Sequence, residues 1–163
     1  DFVTVGYNQM AIIVRKGNPK QIKSDLRELL RPDVTMMIGS PESGSVGQET
    51  KRILESVGLY ERVVDKAILL VSDSRSLNNA MRKGEADVML NWRATGHFPD
   101  NAEVVDVIDL DPALVKPQAL LLNFLNFSKN QDLVRRFMEY TASERGQAIF
   151  RNYGFLDNKT VVK

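Results

Sequence analysis

The chain has 163 residues, of which 43% are hydrophobic and 26% charged, a composition typical of a globular protein. A chain of this length buries about 70% of the surface that its unfolded form exposes, so its core needs no metal or disulfide support. The net charge is +1, with 22 basic residues against 21 acidic ones, and no basic stripe is interleaved with aromatic residues. This balance argues against a nucleic-acid partner.

Cysteine and histidine, two residue types common in catalytic and metal sites, are scarce in this chain. Cysteine is absent and His97 is the only histidine, which excludes disulfides and thiolate chemistry and makes a His-based metal cluster or a Ser-His-Asp triad hard to build. The sequence contains no P-loop, GxGxxG or HExxH motif, and acidic pairs such as Asp109 with Asp111 are expected to face solvent. We therefore expect no enzymatic activity, no cofactor and no metal. Absence of cysteine also fits an oxidising compartment.

Strands and helices alternate along the chain. The 2–14 segment predicts one long strand or two short ones, and the last helix has Gly146 as the candidate position of a break. After the first segment, the predicted elements are a helix at 22–30, a strand at 34–39, a helix closed at Gly58, a strand at 67–72, a helix ending at Gly84, strands at 86–90, 103–110 and 119–127, and a helix at 130–153.

This alternation predicts an α/β fold with a parallel βαβ sheet. Two long apolar strands, near the two ends of the chain, bracket the βαβ core. Such a pair suits a chain that enters one lobe and later leaves it, as in a two-lobed binder. A single ordinary α/β domain fits the same pattern, and the sequence leaves both interpretations open.

Three predicted strand ends carry small and polar residues, and in an open parallel sheet ligands bind at such ends. The first offers backbone N–H groups at Ser45, Val46 and Gly47, where a helix N-terminus suits a small anion. The second offers Ser74, with Asp73 expected to cap the helix or face away. The third offers Trp92 and Arg93. The plainer alternatives are that Ser45 and Ser74 or Asp73 only cap helices, that Trp92 belongs to the core, and that Arg93 is a solvated surface residue.

Several segments of the chain resemble, by their order and spacing, molybdate-type periplasmic binding proteins of ABC importers. Gly39-Ser40-Pro41-Glu42, followed by Gly44 and Gly47, is similar to the family's Gly-Asp-Pro loop, with Ser40 in place of the aspartate. The other matching segments are 10–20, Asp73-Ser74-Arg75, 84–88, 144–149 and Tyr153-Gly154-Phe155.

The resemblance implies the two-lobed type II periplasmic-binding-protein fold, with an oxyanion held in the cleft between lobes by backbone N–H groups and hydroxyls. It implies contacts from the N–H near Val46, the N–H near Ser74 and the aromatic residue at Trp92, where molybdate binders carry a tyrosine. It further implies that residues 1–13 form a crossover and part of lobe one. Residues 14–115 then form lobe two, and residues 116–163 form a crossover strand and the C-terminal helix of lobe one.

On this resemblance we expect a periplasmic, or extracellular and membrane-anchored, solute-binding protein that delivers a molybdate- or tungstate-like anion, or an organic anion, to a membrane permease. The N-terminal part of lobe one would be absent from this chain, and an exposed apolar face would then favour a homodimer. Two alternatives stay open: a ligand-sensing regulatory domain of the same fold, attached to a DNA-binding or signalling module, and a small α/β enzyme acting on a phosphorylated substrate.

Overall fold

The computed structural model describes residues 1–157, and the tertiary contacts within it divide the chain into two units. Unit 1 combines Asp1–Asn8 with the chain from Pro117 onward, and unit 2 is Gln9–Lys116. The first division falls after Asn8 rather than after residue 13, because Ala11 to Val14 pair with strands of unit 2 on both sides. The second falls between residues 116 and 117, one residue from the expected position.

Strands and helices alternate through most of the described residues. The strands are β1 (Phe2–Asn8), β2 (Met10–Arg15), β3 (Met36–Gly39), β4 (Leu69–Val71), β5 (Val88–Trp92), β6 (Val105–Asp109) and β7 (Gln118–Asn123). The helices are a 3₁₀ helix (Leu26–Leu30), α1 (Ser45–Ser56), α2 (Tyr60–Lys66), α3 (Ser74–Arg82), α4 (Arg93–Gly96), α5 (Pro99–Ala102), α6 (Gln131–Ala142) and α7 (Glu144–Asn152).

Unit 2 is built on a five-stranded sheet in the order β4-β3-β5-β2-β6. β3 runs parallel to β4 and β5, which confirms the predicted parallel βαβ core. β2 runs antiparallel to its neighbours β5 and β6, a feature that the strand-helix alternation does not predict. The central strands are apolar on both faces because helices cover them, and side chains such as Ile12, Ile38 and Leu90 are fully buried.

The first helix of unit 2 is shorter than predicted. A helix was expected from residue 22, but the side chain of Asn18 bonds both backbone groups of Ile22 at 2.9 Å, and Gln21 has a positive φ of 52°. These contacts hold the chain in a turn. Only Leu26–Leu30 form a helix, of the 3₁₀ type, which begins where Asp25 accepts a hydrogen bond from the N–H of Arg27. The short helices α2, α4 and α5 were not predicted.

Unit 1 contains an antiparallel pair of strands, β1 and β7, and the helices α6 and α7. The single helix expected at 130–153 is wrong: Ser143 adopts an extended conformation, and its hydroxyl accepts from the N–H of Gly146 and so caps α7. The break therefore falls three residues before the glycine named from the sequence. The strand predicted to reach residue 127 ends at Asn123.

Candidate functional site

The ends of β3, β4 and β5 lie at one edge of the sheet of unit 2. Met37 pairs with Leu69 on one side and with Met89 on the other, and Gly39 pairs with Val71. Because these strands are parallel and in this register, the segments that follow them leave the sheet together. The three strand ends singled out from the sequence therefore adjoin one another.

The N-terminus of α1 has no side-chain cap. The cap position is Gly44, in an extended conformation, and Ser45 is the first residue of the helix, so the alternative in which Ser45 caps the helix is wrong. The first helical hydrogen bond runs from the N–H of Gln48 to the carbonyl of Gly44, at 3.1 Å. Within residues 1–157, nothing accepts a hydrogen bond from the N–H groups of Ser45, Val46 or Gly47. A helix leaves its first N–H groups available for a ligand in this way.

Glycine holds the start of α1 tightly against the strand end. A Cβ on Gly47 would lie 1.9 Å from the carbonyl oxygen of Ser40, and a Cβ on Gly39 would lie 3.0 Å from the backbone nitrogen of Gly47. The N–H of Ser40 donates to the carbonyl of Val71 at 2.8 Å, which ties this loop to β4. The first turn of α1 is thus fixed by backbone contacts that a side chain would destroy.

The N-terminus of α3 is capped by Asp73, as expected. Its carboxylate accepts from the N–H of Ser76 at 2.7 Å, and this bond holds the pKa of Asp73 below its ordinary value. The carboxylate is exposed and engaged with its own helix. Ser74 is the first residue of that helix, and its side chain makes a different contact.

Asn91, a fully buried residue of β5, fastens the start of α3 to the sheet. Its Oδ1 accepts from the hydroxyl of Ser74 at 2.7 Å and from the N–H of Trp92 at 2.8 Å. Its Nδ2 donates to the carbonyl of Ser74 at 3.2 Å and to Oδ1 of Asn78 at 3.3 Å. Asn91 is not among the site residues expected from the sequence. The available signal was an amide that interrupts an otherwise apolar buried strand, since buried amides require partners.

Trp92 and Arg93 differ in their environments. Trp92 ends β5, is half-buried and packs against the core, and strand alternation places it on the face opposite Asn91. Arg93 forms an ion pair with Asp109 at the end of β6, with 2.8 Å between Nε and Oδ1. Because β2 lies between β5 and β6, this guanidinium is directed away from α1 and α3. The structure does not bring Arg93 together with Ser45 and Ser74.

Among residues 1–157, no three His, Asp or Glu side chains are grouped so that they could hold a metal ion. Burial lowers the pKa of His97, in contrast to a histidine poised to gain a proton.

Within residues 1–157, no helix has the length and apolar character needed to cross a membrane.

Comparison with known proteins gives a family match over almost the whole chain. The family model described as bacterial extracellular solute-binding protein matches residues 1–156. A putative ABC transporter substrate-binding lipoprotein of Bacillus subtilis, YvgL, is 24% identical over 91% of this chain and 55% of its own length. The molybdate-binding protein ModA of Mycobacterium bovis is 27% identical over 91% of this chain and 54% of its own length. A sulfate-binding protein of Synechococcus elongatus is 24% identical over 90% of this chain and 46% of its own length.

Solved structures show the same fold. The substrate-binding domain of a putative molybdenum ABC transporter from Clostridium difficile superposes with a TM-score of 0.76 at 22% identity, covering 96% of this chain and 66% of that one. PEB3 with bound L-phospholactate superposes with a TM-score of 0.75 at 18% identity, and the match covers 96% of this chain and 68% of PEB3. The chain spans about half the length of the curated relatives it matches. These matches confirm the fold class and the family resemblance expected from the sequence.

Proposed function

Because the chain belongs to the bacterial extracellular solute-binding protein family, we propose that it captures a small anion for an ABC importer at the first turns of α1 and α3. It acts by binding rather than by catalysis, outside the cytoplasm, and delivers the anion to a membrane permease. The relatives named for sulfate and molybdate support an anionic ligand.

The observation that carries this proposal is the uncapped start of α1. Three successive N–H groups there have no acceptor within residues 1–157. Because the helix itself supplies no acceptor for them, an oxyanion can accept all three hydrogen bonds. A helix N-terminus adds about half a positive charge, and α3 begins at the same edge of the sheet.

We assign the anion contacts to the N–H groups of Ser45, Val46 and Gly47 and to the backbone at Ser74. Trp92 flanks this site from the other face of β5, and its indole N–H has no partner in the described part of the chain. Arg93 is left out of the binding set because Asp109 neutralises its guanidinium. No titratable side chain is needed for such binding, because the backbone N–H groups are the donors.

An anion screen by thermal unfolding and titration calorimetry tests the proposal. Sulfate, phosphate, molybdate and tungstate are compared with chloride at equal ionic strength. A ligand at one hundred times its dissociation constant adds about 2.7 kcal/mol to the free energy of unfolding. If no anion stabilises the chain beyond chloride, the proposal fails.

Two substitutions at Ser45 separate backbone from hydroxyl. Ser45→Pro deletes the N–H at a position where helices accept proline, and Gly44 before it is already extended. We expect this variant to weaken binding about tenfold or more, since a hydrogen bond to a charged group is worth about 1.5–3 kcal/mol. Ser45→Ala keeps the N–H and should bind as the wild type does. Equal binding by both variants would contradict an anion at this turn.

A further inference from the structure

The orientation of the Asn91 amide determines which way the Ser74 hydroxyl points its proton. The N–H of Trp92 can only donate, so the amide atom 2.8 Å from it must be the oxygen. The carbonyl of Ser74 can only accept, so the amide atom 3.2 Å from it must be the nitrogen. In a flipped amide the nitrogen would face the N–H of Trp92, donor against donor, and the oxygen would face the carbonyl of Ser74, acceptor against acceptor. Only one orientation therefore satisfies both contacts.

With the amide fixed, the Ser74 hydroxyl has no proton left for a ligand. Oδ1 of Asn91 is an acceptor, and the Ser74 hydroxyl lies 2.7 Å from it, so the hydroxyl must donate there. A hydroxyl has a single proton and two lone pairs. Asn91 is fully buried and its amide makes all four of its hydrogen bonds, so water does not compete for this arrangement. Ser74 therefore presents only lone pairs to its remaining neighbours.

We infer that Asn91 makes the proposed anion site selective for an oxyanion that carries its own O–H group, because Ser74 can accept a hydrogen bond there but not donate one. This inference rests on the proposed function. Sulfate and molybdate are fully deprotonated at neutral pH, and their oxygens would meet the lone pairs of Ser74. Hydrogen phosphate keeps a proton at neutral pH and donates it to Ser74 while its other oxygens accept from α1. Asn91 thus acts as a positioning residue and Ser74 as the contact that discriminates.

Titration calorimetry with inorganic phosphate, sulfate and molybdate at neutral pH and constant ionic strength tests the selectivity. We expect phosphate to bind at least about tenfold more tightly than sulfate or molybdate, because an unpaired polar contact in a binding site strongly penalises the wrong ligand. Sulfate or molybdate binding as tightly as phosphate overturns the inference and leaves the proposed function standing. Binding of no anion overturns the proposed function and the inference together.

The ratio of the phosphate and sulfate affinities is the readout for the variants, because a purely structural defect would weaken both ligands alike. Asn91→Val releases the Ser74 proton, and the ratio should fall to about one or invert. If the loss of the buried amide prevents folding, Ser74→Ala removes the lone pairs at a position where a helix accepts alanine, and the ratio should again collapse. Ser76→Ala, in the same helix and beside Asp73 rather than Asn91, is the matched control and should leave the ratio unchanged. A wild-type ratio in both Asn91→Val and Ser74→Ala contradicts the inference.

A phosphate monoester distinguishes the two sources of this chemistry. Such an ester loses its last ionisable proton near about pH 6, whereas inorganic phosphate still carries one well above that pH. We expect methyl phosphate to lose affinity relative to inorganic phosphate as the pH rises through this range. A ratio of the two affinities that does not change with pH means that the ligand proton is not read, which overturns the inference.

Discussion

The two units of the chain differ in how far they bury their large apolar side chains. Unit 2 buries a continuous core on both faces of its sheet, and its exposed large apolar side chains are Val57, Ile68, Leu69 and Leu70. In the described part of unit 1 the buried apolar side chains are Val5 and Met138. Its exposed large apolar side chains are Phe2, Leu121, Leu125, Phe127, Leu133, Phe137, Tyr140, Ile149 and Tyr153. Apolar periodicity in a sequence thus predicts which helices and strands have an apolar face, but it does not predict what packs against that face.

The largest expected effect comes from a pair of glycines that occupy the same helical position in the two units. Gly47 is the third residue of α1 and Gly146 the third of α7, and a Cβ on either would meet a backbone oxygen, at 1.9 and 2.4 Å. We expect Gly47→Ala to cost about 3 kcal/mol, because the core of unit 2 fixes both sides of the contact. Gly146→Ala should cost less, since the weakly packed helices of unit 1 can shift.

Chemical denaturation of both variants measures this difference. The slope of the free energy against denaturant should stay the same, so that the change reflects stability alone. A larger loss for Gly146→Ala than for Gly47→Ala would mean that unit 1 is the more rigidly packed of the two.

The exposed stripe of α6 in unit 1 should drive association between copies of the 163-residue chain. Leu133, Phe137 and Tyr140 lie on one face of the helix, and the first two are 63% and 58% exposed. Sedimentation velocity over a range of concentrations should show dimers or larger species, and Phe137→Glu should raise their dissociation constant at least about tenfold. Leu70→Glu, at the exposed edge strand of unit 2, is the control with little expected effect. A monomer at every concentration contradicts this prediction.

A buried hydroxyl in α1 offers a test in the opposite direction. Thr50 is fully buried, and its Oγ1 makes no hydrogen bond in the described structure. Thr50→Val keeps the shape and removes the unpaired polar atom, so we expect a gain of about 1 kcal/mol in the free energy of unfolding. Thermal unfolding should show a higher melting temperature, and a lower one would indicate that the hydroxyl has a partner after all. Thr141→Val in unit 1 is the matched control that loses a real bond, to the carbonyl of Met138.

The smallest effect is expected at the cap of α3 and depends on pH. The Ser76 N–H lowers the pKa of Asp73, so the carboxylate stabilises the folded chain above the carboxyl's ordinary pKa of 3.8. That contribution is lost as the pH falls through the lowered value. Asp73→Ala should therefore reduce the melting temperature at neutral pH, and the deficit should vanish in acid. Asp73→Asn retains an oxygen that accepts the Ser76 N–H and should show a smaller deficit. A deficit independent of pH would exclude the charged cap as its cause.

Local sequence signals predict the edge of the sheet where the site lies, but not the hydrogen bonds and ion pairs formed there. The positions of Ser45 and Ser74 follow from strand ends and small residues, which are local signals. The ion pair of Arg93 with Asp109 and the hydrogen bond from Ser74 to Asn91 are tertiary contacts, between residues 16 and 17 positions apart. Periodicity and propensity carry no information about these pairings.

Amide chemical shifts can show whether an anion binds at the starts of α1 and α3. In ¹H–¹⁵N spectra recorded during titration with phosphate, we expect the largest saturable shifts at the N–H groups of Ser45, Val46, Gly47 and Ser74. Amides at the exposed stripe of α6 should not move. Largest shifts elsewhere in the chain, or shifts that never saturate, would contradict an anion site at the starts of α1 and α3.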